Sequence, residues 1–283
     1  MRAFASLGLV LAACGVEQPT PTSQVTCHNS NCAYADPARD DTLDALHESL
    51  ALELDGRAMI EGTEIDLIWD PRTSRCVFEH DHIDADVAPD ASVALAVLAN
   101  HFREKRSGAT WNGHEFSLKL EMKAGAAPLG YPLTPGEMGS LGDCAIAMAE
   151  HAEAAASDAG LRLTVIFVSG DLQMLSGLPE RPTWRPELAG RRNHRQFGVN
   201  GWEDVSRLVA NVGVVDLEWK KASDGDRARF RRLADSGVDV MMWAFDVNQE
   251  ALAAFEYVAP RYINTNEAPL LRLWVERPEN KFE

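Results

Sequence analysis

Residues 212–245 read VGVVDLEWKKASDGDRARFRRLADSGVDVMMWAF. Val212 to Trp219 is an apolar run of strand length, broken only by Asp216 and Glu218. Asp224 to Ser236 follows as a helix stopped by Gly237, and Val238 to Phe245 is a second apolar run. Strand, helix and strand in this order predict a βαβ unit with parallel strands.

The same alternation extends in both directions. Upstream lie strands over Val25 to His28, Gly62 to Trp69, Phe116 to Met122, Leu161 to Val168 and Phe197 to Asn200. Cys76 to Phe78 pairs back onto the second of these through the turn Pro71-Arg72-Thr73-Ser74. Helices are expected over Asp41 to Leu54 (capped by Asp40 or Asp41), Ala91 to Arg106, Gly136 to Ala159 and Trp202 to Ala210, with a Pro-interrupted helical stretch over Pro179 to Leu188. Downstream come a helix over Asn248 to Tyr257, a strand over Arg261 to Asn264 and a helix over Ala268 to Val275. Leaving out the Cys76 hairpin, the strands number eight. Eight such repeats over roughly 250 residues suit a single-domain (β/α)8 TIM barrel. An open doubly wound sheet is the alternative, and no G-x-G-x-x-G follows the first strand to support it.

The 283-residue chain is 46% hydrophobic and 25% charged, enough for a sizeable core. Its net charge of -16 opposes nucleic-acid binding but not an anionic substrate, because a bound divalent cation reverses the field locally. Arg2, the apolar run Phe4 to Ala13 and then Cys14-Gly15 resemble a bacterial lipoprotein signal, with Cys14 lipidated. Residues 1–13 are then the signal, 14–24 a flexible Pro/Thr tether and 25–283 the folded body. An exported protein held at a membrane by its lipid anchor, facing the periplasm or the cell exterior, is the expectation. Cys27, Cys32, Cys76 and Cys144 permit two disulfides in three pairings. The first two are close enough to clip a small loop, which would leave Cys76 with Cys144; no zinc-site spacing competes.

In a parallel barrel, chemistry gathers where strands end. Glu64 and Asp66, two apart on one strand, point to the same face, and Glu121 has the same place on the next strand. Three carboxylates there repel each other unless a cation holds them, and their hard oxygens suit Ca²⁺ or Mg²⁺. Any one of them alone is more simply paired with Lys119, Lys123 or an arginine. His28 and His80 each follow a strand and flank the same region, as a general acid and base would. His82 adjoins His80 and is suited to orient it, and Lys123 to neutralise a phosphate oxygen. His47, His101, His114, His151 and His194 read as structural or simply exposed.

Several segments resemble, in consistent order, the glycerophosphodiester phosphodiesterase family of the phospholipase C-like superfamily. They are Glu64-x-Asp66 followed by Val77-x-x-His80-Asp81-His82, Leu120-Glu121-Met122-Lys123, the tryptophan-bearing Val240-Met241-Met242-Trp243-Ala244-Phe245-Asp246, and Arg261 to Pro269. The resemblance implies a barrel hydrolysing glycerophosphodiesters through a cyclic phosphate. Glu64, Asp66 and Glu121 would hold one divalent cation, His28 and His80 would act as acid and base, and Lys123 and Trp243 would meet the substrate. Two motifs depart from the family. Its first-strand His-Arg-Gly is here His28-Asn29-Ser30, with Asn29 in the arginine's place toward the substrate, and its Glu-Asn-Thr is Asp40-Asp41-Thr42. Two rivals follow. One is a phospholipase D-like enzyme acting on choline lysophospholipids or sphingomyelin, for which the loop aromatics Trp111, Tyr131 and Trp184 would face lipid. The other is an inactive ligand-binding lipoprotein that has lost the arginine.

Overall fold

The computed structural model describes residues 23–33, 36–80, 88–105, 115–125, 129–188, 195–199, 212–243 and 248–276. Eight parallel strands form the barrel: β1 (Gln24–Cys27), β2 (Gly62–Asp70), β3 (Glu115–Met122), β4 (Arg162–Val168), β5 (Arg195–Val199), β6 (Val212–Glu218), β7 (Asp239–Trp243) and β8 (Tyr262–Thr265). Each strand pairs with the next, β1 pairs with β8 over Gln24↔Tyr262 to Cys27↔Thr265, and Cys27↔Thr63 joins β1 to β2. The (β/α)8 reading therefore holds and the open sheet does not.

Closure between β1 and β2 rests on little ladder, so side chains reinforce it. Val25 donates its amide to Glu61 Oε2 at 3.0 Å, and the Glu61 amide donates to the Val25 carbonyl at 2.8 Å. Buried Arg272 pairs with Glu61 and donates to the Met59 carbonyl at 3.0 Å. Such a pair is tolerated in the interior because guanidinium and carboxylate satisfy one another. At the same end, Glu115 accepts from Gln24 at 3.1 Å and from Arg261 at 2.6 Å, tying β3 to β1 and β8.

Among the described residues the helices are α1 (Leu43–Leu50), α2 (Ala91–Glu104), α3 (Pro135–Asp158), α4 (Leu172–Gly177), α5 (Asp224–Asp235), α6 (Gln249–Val258) and α7 (Ala268–Glu276). Their starts follow capping chemistry. Thr134 and Glu137 form a capping box ahead of α3, with Pro135 in its first turn, and Ser223 and Asp226 do the same for α5. The outward residues of the strands, such as Ile65, Leu67, Leu118, Leu120 and Phe167, join the inward faces of the helices in one core. The inner face carries only a small apolar cluster of Ile166, Val168, Val214, Met241 and Tyr262.

Several expected boundaries shift. Ser23 and Gln24 belong to the body rather than to the tether, since Ser23 Oγ donates to the Pro260 carbonyl at 2.6 Å and Gln24 opens β1. The first helix is capped by Thr42, not by Asp40 or Asp41, and ends at Leu50 rather than Leu54. Asp55 and Gly56, both at positive φ (51° and 74°), instead turn Glu53–Leu54 back onto Arg57–Ala58. The stretch 172–188 holds α4 and two short 3₁₀ turns, because Pro179 and Pro186 interrupt the helical ladder. Trp184 is no lipid-facing loop residue: it is buried against Phe167 and Phe197, at centroid distances of 5.7 and 5.6 Å. Tyr131 is 45% exposed. Arg75–Phe78 pairs antiparallel with β2 as expected. The disulfides are Cys27–Cys32, and Cys76–Cys144, which pins that hairpin to α3. Cys14, Trp111, His114, His194 and the helix expected over Trp202 to Ala210 lie outside the described residues.

Two predictions concern stability. A Cβ at Gly62 would lie 2.6 Å from the Ser117 carbonyl oxygen and 2.7 Å from Thr26 Cγ2, inside the barrel. Gly62→Ala should cost about 1–3 kcal/mol in urea unfolding, as overpacking does. Burial, with His47 adding to it, pushes the His101 imidazole down to about 4. Below pH ~6.5 the unfolded chain therefore takes a proton that folded His101 refuses, so stability drains away as pH falls from ~6.5 towards 4. His101→Gln should remove roughly 2–3 kcal/mol of that acid-side loss, read as the difference between wild-type and variant stability at pH 7 and pH 4.5.

Candidate active site

The polar residues converge at the C-terminal mouth of the barrel, where alternation sends Glu64 and Asp66 of β2 and Lys119 and Glu121 of β3 into the lumen. Oxygens of Glu64, Asp66 and Glu121 lie within 4.8 Å of one another. Glu64 and Asp66 are fully buried, and Glu121 is partly open.

Two lysines enter this acidic group. Lys119 Nζ lies 2.8 Å from Glu64, 3.5 Å from Glu121 and 3.0 Å from Asp216 of β6. Lys123 Nζ lies 2.7 Å from Glu121 and 3.3 Å from Asp66. The simple pairing of each acid with a lysine and the three-acid cluster thus coexist. Burial would push Glu64 up, but Lys119, with His28, holds it well below the usual carboxylate range. Asp66 goes the other way: burial, and then the charge of Asp41, push it well up. Burial also pushes Asp216 up to about 7 against the pull of Lys119. Lys119 stays well above its ordinary value despite burial, held there by Asp216 and Glu64.

The chain leaves β1 through His28–Ser30, where Asn29 and Ser30 take positive φ of 47° and 55° inside the Cys27–Cys32 clip. His28 Nδ1 donates to Asn266 Oδ1 at 2.7 Å, which leaves the Nε2 lone pair towards the site, 4.0 Å from Glu64 Oε2. Burial lowers the His28 pKa, with Glu64 opposing. The ring stacks on Trp243 at a centroid distance of 6.1 Å, and Lys119 Nζ sits 5.7 Å from the same indole. His80 Nε2 lies 3.6 Å from Asp66 Oδ2. Asn29 donates from Nδ2 to Asp40 at 3.1 Å, and Asp40 is also held by Asn31 at 2.8 Å. The buried Asn29 Oδ1 has no protein partner. His28, Asn29, Glu64, Asp66, His80, Glu121, Lys123 and Trp243 are therefore together; His82 lies outside the described residues.

Four more residues belong to this mouth. Asn264 Nδ2 donates to Glu64 Oε2 at 2.6 Å, and Asn266 orients His28. Lys119 and Asp216 form the buried pair just described. Inward strand positions were the signal available for Asn264, Lys119 and Asp216, and the place just past the end of β8 for Asn266.

The donor set fits a hard divalent cation. Its carboxylate oxygens are of the kind Ca²⁺ and Mg²⁺ prefer, and those of Glu64, Asp66 and Glu121 converge within 4.8 Å.

Lys119→Met would strip Glu64 and Asp216 of their shared cation. We expect a loss of about 3–5 kcal/mol at pH 7. The loss should shrink towards pH 5 as the acids protonate, and on adding Ca²⁺. Urea unfolding at both pH values, with and without the ion, measures it.

No family model and no curated protein matches the chain. Solved structures do. An Oleispira antarctica phosphodiesterase in complex with the product sn-glycerol-3-phosphate is 13% identical, with a TM-score of 0.63 over 90% of this chain and 97% of that one. A Thermotoga maritima glycerophosphodiester phosphodiesterase is 13% identical, with a TM-score of 0.53 over 88% and 96%. A calcium-dependent phosphoinositol-specific phospholipase C from Pseudomonas is 15% identical, with a TM-score of 0.50 over 86% and 88%. At these identities the likeness is one of fold. The chain carries the (β/α)8 barrel of the glycerophosphodiester phosphodiesterases, the family that its motifs resemble.

Proposed function

We propose that the protein is a metal-dependent phosphodiesterase that hydrolyses glycerophosphodiesters to an alcohol and glycerol phosphate. One observation carries the reading. The triangle of Glu64, Asp66 and Glu121 is flanked by two histidines, each set against a different carboxylate, at one barrel mouth. The fold likeness to a phosphodiesterase holding glycerol phosphate supports it.

Glu64, Asp66 and Glu121 would hold the cation, Ca²⁺ or Mg²⁺. When bound, it supplies Lewis-acid polarisation of a phosphoryl oxygen and of a neighbouring substrate hydroxyl. The remaining work falls to the chain. His28 takes the hydroxyl proton on Nε2, because Asn266 fixes the opposite nitrogen as the donor. The freed oxygen attacks phosphorus, and the bond to the leaving alcohol breaks. His80 protonates that alcohol. Water then opens the resulting cyclic phosphate with the two histidines in reversed roles. Lys123 offsets the growing charge on the phosphoryl oxygens. Trp243 stacks beside His28 and forms a wall for the substrate, with Asn29; His82, outside the described residues, remains a proposed substrate contact. The positive charge that the family's first-strand arginine would bring rests here on Lys123.

The lipid-facing alternative on choline lysophospholipids or sphingomyelin loses one of its aromatic supports, since Trp184 is core. Residues 1–13 as signal and Cys14 as lipid anchor complete the proposal: the body works beside a membrane, outside the cytoplasm. No helix among the described residues is long and apolar enough to cross a membrane.

The assay is release of glycerol phosphate from glycerophosphocholine by the purified protein. Turnover should need Ca²⁺ or Mg²⁺ and stop with EDTA. His80→Ala and His28→Ala should each lower kcat about 10²–10⁴-fold. A folded, cation-binding protein without turnover would shift the reading to choline lysophospholipids. Failure there too would leave the binding-protein reading.

A further inference from the structure

Asp40 or Asp41 was expected to cap the first helix, and neither does. Thr42 takes that place. Asp41 instead takes positive φ (54°), with its amide donating to the Asn29 carbonyl at 2.9 Å, and turns its side chain inward, where it is 2% exposed. Neither carboxylate oxygen accepts from an N–H or O–H donor, and the side chain lies within hydrogen-bonding reach of the Asp66 carboxyl. Burial, then the charge of Glu64, push Asp41 well up, with Lys123 and the Asp66 contact opposing and Asp40 adding, and of all the neighbouring charges it is Asp41 that acts most strongly on Asp66.

A buried carboxylate set against two others is unfavourable unless positive charge meets it. Lys123 is already shared by Glu121 and Asp66. With Asp41 counted, five carboxylates at the mouth (Asp41, Glu64, Asp66, Glu121 and Asp216) face two ammonium groups, Lys119 and Lys123. Asparagine at position 41 would have nearly the same shape and relieve the repulsion. What asparagine lacks is charge.

We propose that Asp41 is a fourth acidic residue of the cation site, acting through the Asp66 carboxylate it faces and setting how tightly a divalent cation is held. The proposal rests on the reading of Glu64, Asp66 and Glu121 as the cation's ligands. More ligand charge tightens Ca²⁺ binding. Asp41 is a positioning and charge-setting residue, and it touches no substrate in this scheme.

The test is calorimetric titration of Ca²⁺ into the full chain, as wild type, Asp41→Asn and Asp41→Glu, with Tm measured in EDTA and in Ca²⁺. Asp41→Asn should weaken Ca²⁺ binding about tenfold or more. Its Tm in EDTA should stay level or rise, while the Tm increase given by Ca²⁺ shrinks. Asp41→Glu, which keeps the charge, should stay within a few-fold of wild type. If Asp41→Asn fails to fold, Asp41→Glu decides: a merely structural Asp41 would not tolerate the longer side chain, and its Ca²⁺ affinity would collapse. Wild-type affinity in Asp41→Asn would overturn the proposal and leave Asp41 as a proton-sharing neighbour of Asp66. A wild-type protein that binds no divalent cation would overturn the cation site itself, a different failure from the first.

Discussion

Lys119 is the point on which the mouth of this barrel depends. Its ammonium group reaches Glu64 and Glu121 on neighbouring strands and crosses the lumen to Asp216. Ile166, Val168, Val214, Met241 and Tyr262 form a buried apolar cluster on the same inner face, and Lys119 itself is 4% exposed, so the local dielectric is low. In such surroundings attraction and repulsion both grow. One lysine can therefore hold Glu64 ionised while Asp66, a few ångströms away, is driven towards its neutral form. Two acids on one strand end with opposite tendencies because Lys119 and His28 outweigh the burial of Glu64, whereas Asp41 adds to the burial of Asp66 against the pull of Lys123.

That charge balance is useful only if the groups stay where they are. The turn after β1 is the most constrained part of the mouth. Two consecutive residues at positive φ, neither of them glycine, carry a strain that the surroundings must hold. The Cys27–Cys32 bond brackets them, Ser30 Oγ is tied to the Glu64 carbonyl, and Asp40 is gripped by Asn29 and Asn31. The result is an imidazole with a fixed tautomer, set between Trp243 and Glu64. Geometry of this kind is held before substrate arrives, which is what a proton-transfer site requires.

The alternation of strand and helix was plain in the sequence, because buried parallel strands read as apolar runs such as 161–168 and 238–243. The inward pair Glu64 with Asp66 was also legible, since period-two spacing on a strand fixes a shared face, and so was Glu121 at the same place on the next strand. The likeness of fold to known phosphodiesterases agrees with the motifs quoted for the resemblance. Asp41 escaped because an acid ahead of a helical pattern has the signature of a cap, and whether Thr42 or Asp41 takes that place is settled by one backbone angle. Lys119 read as a bland counter-ion: nothing local shows that a lysine crosses the lumen to Asp216. Trp184 misled for a related reason. Its flanking prolines mark a loop, but the loop folds its aromatic back onto Phe167 and Phe197.

The two ends of the barrel divide the energetic labour. At the N-terminal end Glu61 with Arg272, and Glu115 with Arg261 and Gln24, are acids matched by cations or donors, and they close the cylinder. At the C-terminal end the acids outnumber the lysines, so the fold leaves acids there that a proton or a bound cation must neutralise. A protein can keep such an end only when the rest of the fold is stable enough to hold it, and the Cys76–Cys144 bond and the closed core contribute to that. Whatever binds at the mouth and carries positive charge then stabilises the folded chain as well as completing the site, because it binds the folded form and not the unfolded one. Folding stability and site occupancy are in this way one equilibrium, and the unmatched acids are what join them.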